Sequence, residues 1–92
     1  MNKREAKLTM EQRLRALRLL TYERLLEFQS PVTETIHAPS GHSYQLEVQA
    51  LWDDKQEKTL RVLVSIDDGG LRSFAPLSED FIIAPDGSFV GE

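Results

Sequence analysis

The chain has no cysteine among its 92 residues. It therefore has no disulfide, no thiolate nucleophile and no cysteine ligand for a metal. Aromatic residues are also few, at 8% of the chain, whereas 40% of the residues are hydrophobic and 28% are charged. This balance is typical of a globular domain rather than a disordered segment. The length predicts a single domain.

Long apolar runs are absent as well. No stretch approaches the roughly 18 consecutive apolar residues of a membrane-spanning helix. No apolar run follows the charged start MNKREAKLTM, as one would in a secretory signal. We therefore expect a cytoplasmic protein with no membrane partner.

Catalytic and phosphate-binding motifs are missing too. The sequence has no Gly-x-Ser-x-Gly motif and no glycine-rich loop that opens a helix. Its two histidines, His37 and His42, do not have a recognised metal-ligand spacing. The acidic pairs Asp53–Asp54 and Asp67–Asp68 fall where turns are expected and lack the calcium-loop pattern. We predict a non-enzymatic protein with no catalytic residue, no cofactor and no metal site.

Charge is unevenly distributed along the chain. The net charge is -4, but residues 1–24 carry seven basic residues against three acidic ones. Residues 25–92 carry four basic residues against twelve acidic ones. A basic first quarter is typical either of an arm that binds a polyanion or of a helix that packs on its own acidic sheet. We favour the second interpretation.

An amphipathic helix is predicted over about residues 9–29. Its apolar residues recur at spacings of three and four, which places on one face Met10, Leu14, Leu17, Thr21, Leu25 and Phe28. Thr9 and Gln12 fit a capping box at the start. Pro31 moves Ser30 out of the helical region at the end. Residues 1–8 are expected to form a flexible N-terminal segment.

A second apolar stripe follows the same helix, roughly 120–140° around its axis from Leu14. Its residues are Leu8, Leu19 and Leu26, with Tyr22 beside them. One stripe is enough to pack a helix on a sheet, so the second needs cover from elsewhere in the chain or from another chain. The predicted interaction residues are Leu19, Tyr22 and Leu26.

After Pro31 the apolar period changes from 3.6 to 2, which is typical of strands. Strands are predicted at about residues 32–38, 43–52, 59–67, 71–75, 81–84 and 88–90. Asp68-Gly69-Gly70 is expected to form a tight turn, and residues 76–79 a loop. The predicted fold class is α+β, within one domain over residues 9–92. One long N-terminal amphipathic helix packs on a four- to five-stranded antiparallel sheet built as a meander of hairpins.

Two segments resemble each other: IHAPSGHSY at residues 36–44 and IIAPDGSFV at residues 82–90. Proline at the second turn position and glycine at the fourth fit a type I turn followed by a bulge. We therefore predict two hairpin turns of one type. The alternative is a pair of ligand-binding loops presenting Ser40, His42, Asp86 and Ser88, which requires both turns at one end of the sheet.

Three hypotheses about function follow from these patterns. The first is a protein–protein interaction or assembly module that self-associates as a homodimer through its helix. The second is a nucleic-acid-binding or regulatory protein whose basic helix contacts a polyanion through Arg15 and Arg18. The third is a small-ligand or metal-binding protein.

Overall fold

The structure is a computed structural model that describes residues 2–68 and 77–92. Its elements in chain order are α1 (Lys3–Arg18), α2 (Tyr22–Leu25), a 3-10 helix (Leu26–Gln29), β1 (Val32–His37), β2 (Ser43–Trp52), β3 (Leu60–Asp67) and β4 (Leu77–Ile83). This confirms the predicted α+β fold, with one long N-terminal helix and a four-stranded antiparallel meander.

The sheet has the strand order β1-β2-β3-β4. Each strand pairs antiparallel with the next, and the register places Val48 opposite Val32 on one side and Val64 on the other. The apolar and polar residues that alternate along the strands lie on opposite faces of the sheet. The inner face carries α1, and the outer face carries polar residues such as Gln45, Glu47 and Ser65.

The core lies between α1 and the inner face. From the helix it contains Ala6, Met10, Leu14 and Leu17. From the sheet it contains Tyr44, Leu46, Val48, Ala50, Leu60, Val62, Val64, Ile66, Phe81 and Ile83. α1 packs mainly on β3 and β4, and the 3-10 helix packs on β2.

The first helix begins earlier than the sequence predicts. Asn2 is its N-cap, and the Asn2 side chain accepts a hydrogen bond from the Glu5 amide at 3.1 Å. Thr9 lies inside the helix and donates its hydroxyl to the Glu5 carbonyl at 2.9 Å. The expected start at Thr9 is therefore corrected, and so is the expected flexible segment at residues 1–8 for its described residues, which form the N-cap and first turns of α1 from Asn2 onward. Ala6 is fully buried, so this first turn is part of the packed domain.

The predicted continuous helix over residues 9–29 is interrupted. α1 ends at Arg18, and a new helix begins after Thr21, whose hydroxyl accepts from the Arg24 amide at 3.2 Å. A threonine in this position satisfies a helix N-terminus with its own side chain, which favours a new start over continuation. The chain then tightens into the 3-10 helix before Pro31.

The end of the sheet also differs from the prediction. Leu77–Glu79 were expected in a loop but belong to β4, where Leu77 pairs with Ile66. The predicted strand at residues 88–90 is reduced to one bridge between Phe89 and Ile83. The predicted turn at Gly69-Gly70 and the predicted strand at residues 71–75 lie outside the described residues.

The two similar segments form the same kind of turn. Gly41 donates its amide to the Ala38 carbonyl at 2.9 Å, and Gly87 donates to the Ala84 carbonyl at 2.8 Å. Both glycines have positive φ, 91° and 89°, as a bulge after a type I turn requires. The first turn follows the end of β1 and the second follows the end of β4.

These two turns lie at opposite ends of the sheet. The first joins β1 to β2 beside the pair His37–Ser43, whereas the second follows the pair Leu60–Ile83 at the far end of β3. A joint ligand site made of Ser40, His42, Asp86 and Ser88 is therefore contradicted by the fold. The hairpin-turn interpretation is confirmed.

Candidate interaction surface

The structure does not bring the three predicted interaction residues together on one exposed stripe. Leu19, just after the end of α1, is 87% exposed. Tyr22 is half-buried and donates its hydroxyl to the Lys58 carbonyl at 2.6 Å, which ties α2 to the loop between β2 and β3. Leu26 packs against the core. Because the helix breaks before Tyr22, the predicted second stripe is divided: Tyr22 and Leu26 are half-buried, whereas Leu8 and Leu19 stay exposed.

The two predicted polyanion contacts, Arg15 and Arg18, have different surroundings. The Arg18 guanidinium lies over the rings of Phe81 and Phe89, 4.9 and 4.7 Å from their centroids. It also forms an ion pair with Glu92 at 2.7 Å, and this carboxylate raises the pKa of Arg18. Arg15 is exposed. Arg18 therefore joins the helix to the C-terminal segment and is partly exposed, and Arg15 is the more exposed of the pair.

One helix is too narrow to cover the inner face of this sheet. A helix with its side chains is about 10–12 Å across, and neighbouring strands are about 4.8 Å apart. α1 therefore covers about two strands, and it packs mainly on β3 and β4. On β1 the inner-face side chains are only partly covered: Val32 is 44% exposed, and Glu34 and Ile36 are half-buried.

An apolar cleft lies at the beginning of β1. It has a volume of about 380 Å³. Its apolar lining consists of Leu20, Phe28, Pro31 and Val32, and its charged rim consists of Arg24 and Glu27. Leu20 and Val32 rank among the exposed large hydrophobic residues of the chain. The cleft is therefore an accessible apolar depression, and sites of this kind bind the side chains of protein partners.

Alternate backbone N–H and C=O groups of β1 point away from β2. The amide of Ala38 donates to the His42 carbonyl at 2.8 Å, so Ala38 directs its backbone groups toward β2. Backbone groups alternate in direction along a strand of an antiparallel pair. Consequently Val32, Glu34 and Ile36 also point toward β2, and Thr33, Thr35 and His37 point away from the sheet. β1 is the first strand in the sheet order.

The opposite edge, at β4, is protected over part of its length. Val90 donates its amide to the Ile82 carbonyl at 2.8 Å, and Phe89 forms a bridge with Ile83. The remainder of β4 carries the exposed carboxylates of Glu79 and Asp80. Covering segments and charged side chains are the usual means by which an edge strand is kept from pairing. β1 (VTETIH) contains no lysine and no proline, and its one carboxylate, Glu34, lies on the inner face beside Arg13. Within residues 2–68 and 77–92, no other segment forms backbone hydrogen bonds with the outer edge of β1.

On the inner face of β1 and around the cleft, the charged side chains form ion pairs, although the chain carries a net charge of -4. The Arg13 guanidinium lies 3.2 Å from the Glu34 carboxylate. On the rim of the cleft, Arg24 lies 3.4 Å from Glu27. The cleft, the inner-face side chains of β1 and the outward backbone edge of β1 are hereafter called the β1 side.

The two histidines occupy ordinary surface positions. The Nδ1 atom of His37 lies 2.9 Å from the Ser43 hydroxyl across the hairpin. The His42 ring lies beside the Tyr44 ring, with centroids 6.4 Å apart. Within residues 2–68 and 77–92, no group of three or more histidine, cysteine, aspartate or glutamate side chains is placed to hold a metal ion.

Comparison of the chain with protein-family models, with curated proteins and with solved structures finds no match. None of the helices in the described ranges has both the length and the apolar character needed to cross a membrane.

Proposed function

We propose that this protein is a non-enzymatic protein–protein interaction module that self-associates through its β1 side. The observation that carries the proposal is a mismatch between the helices and the sheet: α1 packs mainly on β3 and β4 and the 3-10 helix packs on β2, so neither packs mainly on β1. This mismatch leaves Val32 and the cleft beside it open to solvent. The helix stripe of Leu19, Tyr22 and Leu26 is set aside as the contact surface because Tyr22 and Leu26 pack within the fold.

Size and charge support this proposal. A 92-residue domain buries only a little over ~60% of its unfolded surface, so a partner adds useful stability. Two copies of a chain with a net charge of -4 repel least where local charges cancel. The ion pairs Arg13–Glu34 and Arg24–Glu27 make the β1 side such a place.

A cytoplasmic location belongs to the same proposal. Small secreted domains are commonly held together by several disulfides. This chain has no cysteine, and its fold is held together by the hydrophobic core between helix and sheet.

Two glutamate substitutions test the proposal with a matched control. Val32 on the β1 side and Leu51 on the outer face of the sheet are 44% and 43% exposed. The molecular mass is measured by light scattering after size exclusion, from about 10 µM to about 1 mM, a range that covers weak association. We expect the wild-type mass to rise from 10.5 kDa toward twice that value. Val32→Glu should abolish the rise and Leu51→Glu should retain it.

The opposite pattern identifies a different surface. If Leu51→Glu abolishes the rise and Val32→Glu does not, the contact lies on the outer face and the proposal is wrong. A wild-type mass that stays at 10.5 kDa over the whole range also contradicts it. Circular dichroism of both variants verifies that they are folded.

A further inference from the structure

Because Thr33, Thr35 and His37 direct their backbone groups away from the sheet, we infer that a second copy of this chain adds its own β1 there. The two β1 strands run antiparallel about a two-fold axis at Thr35. Two four-stranded sheets thereby join into one continuous sheet. This inference rests on the proposed function and specifies the geometry of its contact.

The direction of the backbone groups restricts the register. Outward groups can pair only with outward groups, so odd-numbered residues of one β1 lie opposite odd-numbered residues of the other. An axis at Glu34 places two glutamates directly opposite each other, which is unfavourable. An axis at Ile36 moves Thr33 beyond the end of the other strand. An axis at Thr35 uses the whole strand and pairs Thr33 with His37 of the second copy.

Side chains are compatible with this register. On the inner face, Glu34 lies opposite Ile36 of the second copy rather than opposite its own counterpart. Each Glu34 carboxylate keeps its Arg13 guanidinium 3.2 Å away, so no unpaired charge is brought to the axis. On the outer face, Thr35 packs against Thr35 of the second copy, and threonine pairs of this kind stabilise neighbouring strands.

The choice of a second copy follows from this self-complementarity and from the local neutrality of the β1 side. The strand is only six residues long. Pairing along it buries less than the roughly 1,200 Å² of a stable interface. The dimer is therefore weak and depends on concentration.

The register can be tested by disulfide cross-linking of single-cysteine variants, because the chain has no cysteine of its own. Thr33 and Thr35 are the same residue type on the same face of the same strand, and both are exposed. In the proposed register the two copies of Thr35 have Cα atoms about 5.5 Å apart, within disulfide reach. The two copies of Thr33 are offset by four residues, or about 13 Å along the strand. Under mild oxidation, Thr35→Cys should form a covalent dimer and Thr33→Cys should not.

Each other outcome overturns the inference. Equal cross-linking of both variants indicates random collision, and cross-linking of Thr33→Cys alone indicates another register. If neither variant cross-links while Val32→Glu still abolishes the dimer seen by light scattering, the proposed function stands and the strand pairing is wrong. If the wild type is monomeric throughout, the proposed function fails together with the inference.

Proline at Thr35 provides a second, independent variant. Because the Thr35 amide points away from β2, proline removes an outward donor and leaves the ladder between β1 and β2 intact. We expect Thr35→Pro to remain folded and to lose the concentration-dependent rise in mass. A Thr35→Pro variant that is folded and still dimeric contradicts strand pairing.

Discussion

The hydroxyl of Tyr44 donates a hydrogen bond to the carboxylate of Glu5, at a distance of 2.7 Å. Tyr44 is fully buried in β2, and Glu5 lies in the first turn of α1. The Ser40 hydroxyl donates to the same carboxylate oxygen, also at 2.7 Å. These two donors lower the pKa of Glu5. The contact fixes the beginning of the helix to the first hairpin of the sheet.

Replacing Tyr44 with phenylalanine is expected to destabilise the protein by about 1–2 kcal/mol, since the ring still packs but the charged acceptor loses its buried donor. The free energy of unfolding is measured by urea denaturation. Ser40→Ala is the control, because it removes the exposed donor to the same oxygen and should cost less. Equal stability of Tyr44→Phe and the wild type would show that this contact does not hold the helix.

Alkaline pH provides a second test of the same tyrosine. Burial, together with the hydrogen bond to Glu5, raises the pKa of Tyr44 from 10.0 to about 12. A raised pKa means that the unfolded state loses its proton first. The contribution of Tyr44 to stability is therefore complete below pH 10 and is lost as the pH rises toward 12.

The measurement for this prediction is a titration of tyrosinate absorbance combined with unfolding at each pH. We expect one tyrosine to titrate near pH 12 in the folded protein and to disappear from the titration in Tyr44→Phe. Stability above pH 10 should fall less in Tyr44→Phe than in the wild type. A Tyr44 that ionises at pH 10 would contradict the burial of its hydroxyl.

Arg15 and Arg18 should differ in their effect on stability although they lie one turn apart on α1. Arg18 stacks on Phe81 and Phe89 and pairs with Glu92, so Arg18→Ala should cost about 1 kcal/mol. Arg15 is exposed, and Arg15→Ala should change the free energy of unfolding by less than about 0.5 kcal/mol. Thermal unfolding of the two variants is the measurement.

The same pair of variants tests the hypothesis that the basic helix binds a polyanion. We expect neither Arg15→Ala nor Arg18→Ala to change retention on a heparin column at a given salt concentration. Salt-sensitive retention of the wild type that falls in Arg15→Ala would favour the polyanion hypothesis instead.

Much of the fold is predictable because it depends on local periodicity. The core face of the helix, with Met10, Leu14 and Leu17, is buried as the 3.6-residue period predicts. The alternating residues of β2 over Ser43–Trp52 form a strand with the predicted bounds. The two turns follow from proline and glycine at fixed positions. These features need no knowledge of the rest of the chain.

The candidate site is less predictable because it depends on contacts between distant residues. The one sequence signal for the break before Tyr22 is Thr21, and a single capping threonine within a helix-favouring sequence is too weak to predict it. The exposure of Val32 depends on where α1 lies across the sheet, and this position is set by packing on β3 and β4. The outward direction of Thr35 depends on the phase of the hairpin, which the bond between Ala38 and His42 fixes.

Amide hydrogen exchange in β1 tests the central claim most directly. The Ile36 amide points toward β2 and the Thr35 amide points outward, so the two neighbours report on different bonds. Exchange is followed by NMR from about 10 µM to about 1 mM protein. We expect slow exchange of Ile36 at every concentration and exchange of Thr35 that slows as the concentration rises. Thr35 exchange that stays fast while the molecular mass doubles would contradict pairing through β1.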